Sequence, residues 1–241
     1  MAKKPTPDYA KLDAGEIIAT TEALARRIAE RFPGSGLAKV AARLVEVARR
    51  AEREAAELQL PNIPVRAGVG LVLVAGVGLF ASLLITLHPA IRPGSDVVPL
   101  VQAIESSMNI AILVGLGVIA LTRLESRRKR GTALDSLHML RSLAHVIDMH
   151  QLAKDPEQLS APTSDTGKRL LTTVQLERYL DHCADLLALI GKLSALYAQS
   201  HGEQIVGQTV NEIELLTTNL SGKIWQKIAI LAEGARARAS A

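Results

Sequence analysis

Residues 67–87, AGVGLVLVAGVGLFASLLITL, run for 21 positions without one charged side chain, and no other feature of the chain limits its fold as strongly. A helix of that length rises about 31 Å, close to the ~30 Å hydrocarbon core of a bilayer. A helix lying on a soluble core needs a polar face, and this segment has none. A signal peptide fits poorly, because a long charged stretch precedes the segment and no small-residue cleavage pattern follows it. The segment is expected to be a transmembrane helix.

A second apolar segment, AIESSMNIAILVGLGVIALT at 103–122, reaches crossing length only by including Glu105 and Asn109. The stretch between the segments, HPAIRPGSDVVPL, has three prolines, one glycine and only Arg92 as a fixed positive charge. It reads as a short turn between antiparallel spans. Arg49, Arg50, Arg53 and Arg66 flank the first span, and Arg123, Arg127, Arg128, Lys129 and Arg130 follow the second. The excess of basic residues on cytoplasmic loops then puts both termini in the cytoplasm. The expectation is an integral protein of the cytoplasmic (inner) membrane with a two-helix hairpin over 65–122. The five-residue basic run is also expected to meet membrane lipids, anionic headgroups in particular, at about 1 kcal/mol per residue. Its place directly after an apolar segment, without aromatic RNA-binding or zinc-finger patterns, points away from nucleic acid.

Elsewhere the periodicity is helical. Only six residues are aromatic, so any core must be built from Ala, Leu, Val and Ile, a composition that suits helices. Asp13 and Glu16 form a capping-box pattern, followed by Ile17, Thr21, Leu24 and Ile28 at helical spacing. PGSG at 33–36 breaks that helix. Leu37, Val40, Leu44, Val47, Ala51 and Leu58 mark a second, ending before Pro61 and Pro64. The two helices are thus expected to form a cytoplasmic helical hairpin over 13–60, after a flexible segment 1–12. With no proline between Pro99 and Pro156, the second span is expected to continue through a basic and histidine-rich helix, 123–154, with Gly131 the natural bend. Residues 155–169 read as a loop. Leu176, Tyr179, Cys183, Leu186, Ile190, Leu193 and Tyr197 then alternate three and four apart, a coiled-coil-like seam. Val206, Val210, Ile213, Thr217, Leu220, Ile224 and Leu231 repeat it, with Lys227 the exception. The two seams define a second cytoplasmic helical hairpin, 170–234, before a loose tail, 235–241. The fold class is all-α: a transmembrane hairpin carrying a cytoplasmic helical bundle. Such long seams favour self-association.

Within the second span, Gln102, Glu105, Ser106 and Asn109 share one face. Glu105 lies close enough to the outer boundary to reach water, whereas a deeper carboxylate would be expected to serve a proton or ion path. Ala103, Ser107, Ala111 and Gly115 recur every four positions, and Gly78 and Ser82 do so in the first span. They form small-residue grooves for helix packing, with Asn109 bonding across them.

The stretch HMLRSLAHVIDMHQLAKDP, 138–156, holds three of the six histidines. On a helix His138, Arg141, Ser142, His145 and Asp148 share one side, a polar stripe available to an unidentified cytoplasmic protein partner. Leu137, Leu140, Leu143, Ala144 and Ile147 form the opposite side. His150 projects towards the apolar half or the helix end. His145 and Asp148 have a ligand-pair spacing, and Asp181, His182 or Asp185 of a facing helix could complete a metal site. His138 lies about 10.5 Å further along the axis, too far to share the ion. No metal and no cofactor is expected. The stripe is expected to hold a local network of His145, Asp148 and Arg141.

No catalytic nucleophile motif is present, Cys183 falls on a seam position, and GVGLVLVAG lies in the membrane segment rather than in a phosphate loop. HMLRS, however, resembles the phosphoacceptor motif of histidine kinases and histidine phosphotransfer domains. The resemblance implies His138 as acceptor and Arg141 as the basic neighbour. Met139 and Leu143 depart from the kinase pattern, and no ATP-binding domain follows. The sequence-level expectation is a non-enzymatic membrane-anchored scaffold, adaptor or signal-coupling protein. A phosphotransfer module using His138 and a small ion or proton pathway using Glu105 are the alternatives.

Overall fold

The computed structural model describes residues 11–59, 63–87, 98–152, 171–200 and 202–239. Among them the chain is all helical: α1 Ala14–Arg31, α2 Gly36–Gln59, α3 Ile63–Leu87, α4 Val98–Leu152, α5 Thr173–Ser200 and α6 Gln204–Ala239. The turn between the apolar segments and the 155–169 loop fall largely or wholly outside the described residues. Two compact units result, a bundle of residues 1–59 and 132–241 and a smaller apolar unit of residues 60–131.

In the bundle, local sequence signals set the helix ends. The Asp13 carboxylate caps α1 by accepting from the backbone N–H of Gly15 at 2.8 Å and of Glu16 at 3.3 Å. At the other end Gly34 has φ +72°, the left-handed region that glycine enters without cost. Ser35 then accepts from Ala38 N–H at 3.1 Å to start α2. Phe32, in that turn, meets Tyr179 of α5 edge to face with ring centres 5.3 Å apart.

α5 is the central element, packing on α1, α2 and α6. All seven of its seam residues are buried, as are Val206, Val210, Ile213, Thr217, Leu220, Ile224 and Leu231 of α6. The seams therefore close within one chain, and their length no longer argues for self-association. The register break at Lys227 has a physical reason. Ile228 takes the buried position, while the Lys227 ammonium reaches the Gln151 carbonyl in the last turn of α4 at 3.4 Å. A cation there complements the negative end of the α4 dipole. The core face of α4 is Leu137, Leu140, Leu143, Ala144 and Ile147, the side that the 3.6-residue period assigns to it. α6 runs on to Ala239, so helix continues into the stretch read from sequence as a loose tail.

Side-chain contacts fix helix directions. Leu12 N–H bonds the Gln199 side chain at 3.0 Å, and Phe32 meets Tyr179, so α1 and α5 are antiparallel. The His150 ring lies directly against Gly36, in the space a Cβ would need, while Ser136 meets Glu54. Hence α2 and α4 are antiparallel too.

The apolar unit consists of α3 and the first part of α4. Pro64 is the second residue of α3, where its missing N–H breaks no helical bond. α2 ends at Gln59, before Pro61 and Pro64, and Pro64 lies in the first turn of α3. Gly76 packs on Val114, a Cβ on Gly117 would sit 3.2 Å from Val72, and one on Gly68 would sit 3.5 Å from Leu121. The opposed numbering makes the pair antiparallel. On α4 the seam is Ala103, buried, then Ser107, Ile110, Val114, Gly117 and Leu121, half-buried. Ala103 and Ser107 thus belong to the seam, and Ser107 Oγ donates back to the Ala103 carbonyl at 2.7 Å. Gly78 and Gly115 have nothing within 4 Å of a would-be Cβ, and Ser82 and Ala111 are exposed. Every-fourth spacing from Ala103 drifts off the contact line, because the seam alternates four and three.

The fit of His150 against Gly36 makes a prediction. Gly36→Ala should cost about 1–3 kcal/mol by overpacking, measured as a loss in urea unfolding. In a His150→Ala background the same change should cost less than half as much; equal costs would show that the ring is not the obstacle.

Candidate functional site

Several groups of polar residues stand out, and they differ in burial. The α4 stripe is the outermost. His138, Arg141, Ser142 and His145 are exposed and Asp148 is half-buried. The expected local network does not form. Arg141 pairs instead with Glu212 of α6 at 3.1 Å, because α6 lies alongside α4, and the Asp148 carboxylate accepts from Gln151 Nε2 at 2.5 Å. His138 and His145 are left as surface imidazoles.

The proposed completion of a metal site from α5 also fails on geometry. Asp181, His182 and Asp185 line a cleft of about 290 Å³ with Arg27, Glu30 and Arg31 of α1 and Arg178. They face α1, whereas His145 lies on exposed α4 surface. Among the described residues no three His, Cys, Asp or Glu side chains converge as a metal ligand set. Cys183 is fully buried on its seam position.

His182 itself was not singled out from sequence beyond that role. It is 8 % exposed, and both ring nitrogens are buried without a hydrogen-bond partner. The Phe32 ring stands over it at 6.3 Å, and the Asp185 carboxylate is 3.8 Å from Nδ1. Burial lowers its pKa, Arg31 and Arg27 push the same way, and Asp185 opposes them. The imidazole is therefore held neutral between α1 and α5.

A further group, around Glu54, is one that sequence reasoning missed. Glu54 of α2 is 7 % exposed and is gripped from three helices. Tyr197 OH of α5 donates to Oε2 at 2.7 Å and Ser136 Oγ of α4 donates to the same oxygen at 2.6 Å. Arg50, one turn back on α2, donates to Oε1. Burial alone would push this carboxyl up; the hydrogen bonds from Ser136, Arg50 and Tyr197 and the Arg50 charge outweigh it and hold the pKa below its ordinary value. Burial raises the Tyr197 pKa, so the phenol stays a donor. A signal was present in the sequence. Glu54 lies three residues after Ala51 and seven after Val47, on the seam that runs from Leu37 to Leu58. A charge at a seam position must be paired inside the fold. The arrangement ties α2, α4 and α5 together through one carboxylate.

The basic run is a surface feature. Arg123, Arg127 and Arg128 are exposed, and Lys129 pairs with Glu125 at 3.0 Å. In the apolar unit Gln102, Glu105 and Asn109 are all exposed, on the side of α4 away from its seam with α3. Asn109 therefore does not bond across the α3–α4 seam.

Two predictions follow from these burials. Tyr197→Phe removes one hydrogen bond to a buried carboxylate and should cost about 1.5–3 kcal/mol in urea unfolding; a cost below 0.5 kcal/mol would remove Glu54 from this role. The pH dependence has a defined sign. His182 takes up a proton more readily unfolded than folded, so stability is full above about pH 6.5 and falls as pH drops below it. Glu54 adds a further loss at lower pH, as its depressed folded pKa is approached. His182→Leu should flatten the first decline and Glu54→Gln the second. Comparison with protein-family models, curated proteins and solved structures returns no match for this chain.

Proposed function

We propose that the protein is an integral membrane scaffold or adaptor. In this reading α3 and the apolar part of α4 cross the membrane, and the helical bundle meets a cytoplasmic partner. The observation that carries it is where the apolar side chains point. Leu71, Val74, Val77, Ile85 and Leu113 are each about 70 % exposed, on two helices long and apolar enough to cross a membrane. Exposed apolar surface that continuous calls for lipid or protein cover. The bundle's core is built from its own helices.

The basic run Arg123–Arg130 then lies at a cytoplasmic headgroup layer, with both termini on that side. The exposed His138, Arg141 and His145 provide a polar contact surface on α4.

Fractionation tests the anchor. The chain should stay in the membrane pellet after alkaline carbonate, and cysteines added at either end should react only with reagent that reaches the cytoplasm. Release by carbonate would contradict the anchor, and labelling of either end from outside would contradict the orientation. His138→Glu with His145→Glu should abolish co-purification of a partner after detergent extraction while leaving the chain folded; an unchanged set of co-purifying proteins would place the contact elsewhere.

A further inference from the structure

We propose that a second copy of this chain packs against the exposed face of α4 formed by Gln102, Glu105, Asn109, Ile112 and Leu116. The inference rests on the membrane reading above and deepens it by naming the surface of self-association. These five residues alternate three and four apart, the spacing of a second helix-packing seam. All are exposed, with Ile112 at 51 % and Leu116 at 59 %. They lie on the side of α4 away from Ala103, Val114 and Leu121, which face α3. The face is therefore not spare surface of the α3–α4 contact but a separate seam.

Depth decides what must cover it. Gly76 packs on Val114, and Gly76 lies near the middle of the apolar stretch Ile63–Ile85. Asn109 is five residues from Val114, about 8 Å along the axis. The hydrocarbon core extends about 15 Å to either side of its centre, so Asn109 lies within it. Glu105 falls about 13 Å out, at its edge, and Gln102 beyond. An amide facing lipid leaves donor and acceptor unmet, and transmembrane helices relieve this by bonding across a helix interface.

The chemistry favours a like partner. An amide is donor and acceptor at once, so Asn109 can satisfy its own counterpart across a two-fold axis. Two copies inserted in the same sense have parallel α4 helices, which brings each Asn109 opposite the other. Near the water boundary Gln102 of one copy can donate to Glu105 of the other. Ile112 and Leu116 continue the seam inward as apolar packing.

Cysteine scanning of the full chain in native membranes tests the proposal. Cys183 is fully buried and can remain. Glu105→Cys, Asn109→Cys, Ile112→Cys and Leu116→Cys should form disulfide-linked dimers on mild oxidation. Ile104→Cys, Met108→Cys, Ala111→Cys and Gly115→Cys, on another face, should not. Adding Asn109→Leu to Ile112→Cys should weaken dimerisation about tenfold, whereas Asn109→Gln, which keeps an amide, should largely preserve it. Cross-linking confined to the second set, equal in both sets, absent from membrane-embedded chain, or giving adducts with a different protein would overturn the proposal. Chain that carbonate extracts would instead overturn the membrane reading on which it rests.

Discussion

The fold depends on one mismatch of surfaces. Two strongly apolar helical segments, α3 and the first part of α4, interrupt a sequence whose other helices are amphipathic. Water does not favour the exposed Leu71, Val77 and Leu113, while the bundle builds its core from its own helices. Everything else in the chain is arranged around that insertion. Residues before and after it must find each other across more than seventy positions, and the Glu54 cluster is where they do. Glu54 is among the last buried side chains of α2 and Ser136 among the first of α4, and Tyr197 of α5 joins them through a shared carboxylate oxygen.

A buried carboxylate is not a strong source of net stability, because desolvation offsets most of its attraction. Its value here is geometric. A single oxygen that accepts from both Ser136 and Tyr197 fixes the rotation of α4 and α5 against α2. At the opposite end of the bundle the fit is apolar and steric, with the His150 ring against Gly36 and Phe32 against Tyr179. The Lys227 contact to the last turn of α4 joins α6 there. The bundle is thus specified at both ends by contacts that a register slip would break.

The helices were legible in the sequence because their cause is local. Asp13 caps α1, glycine and proline punctuate, and period 3.6 assigns Leu137, Leu140 and Ile147 to the inside. What periodicity could not settle was pairing. The α5 and α6 seams read as equally suited to another chain, and only the folded arrangement closes them on each other. Pairing also redirected Arg141, whose partner lies 71 positions away on α6, and took His182 away from the α4 histidines to face α1. Glu54 was legible in principle, as a charge on a seam, but a chain rich in surface glutamates hides it.

In the membrane reading proposed above, α3 and the first part of α4 share a lipid-facing surface around a glycine-lined seam. Spin labels placed along both helices, in chain reconstituted into vesicles, test it most directly through collisions with oxygen, which concentrates in lipid, and with a water-soluble nickel chelate. Labels at Leu71, Val77 and Leu113 should collide with oxygen and hardly with nickel, while a label at Val72 or Val114, on the seam, should meet little of either. Strong nickel collisions at Leu71, Val77 and Leu113 would place these helices in water and contradict the account.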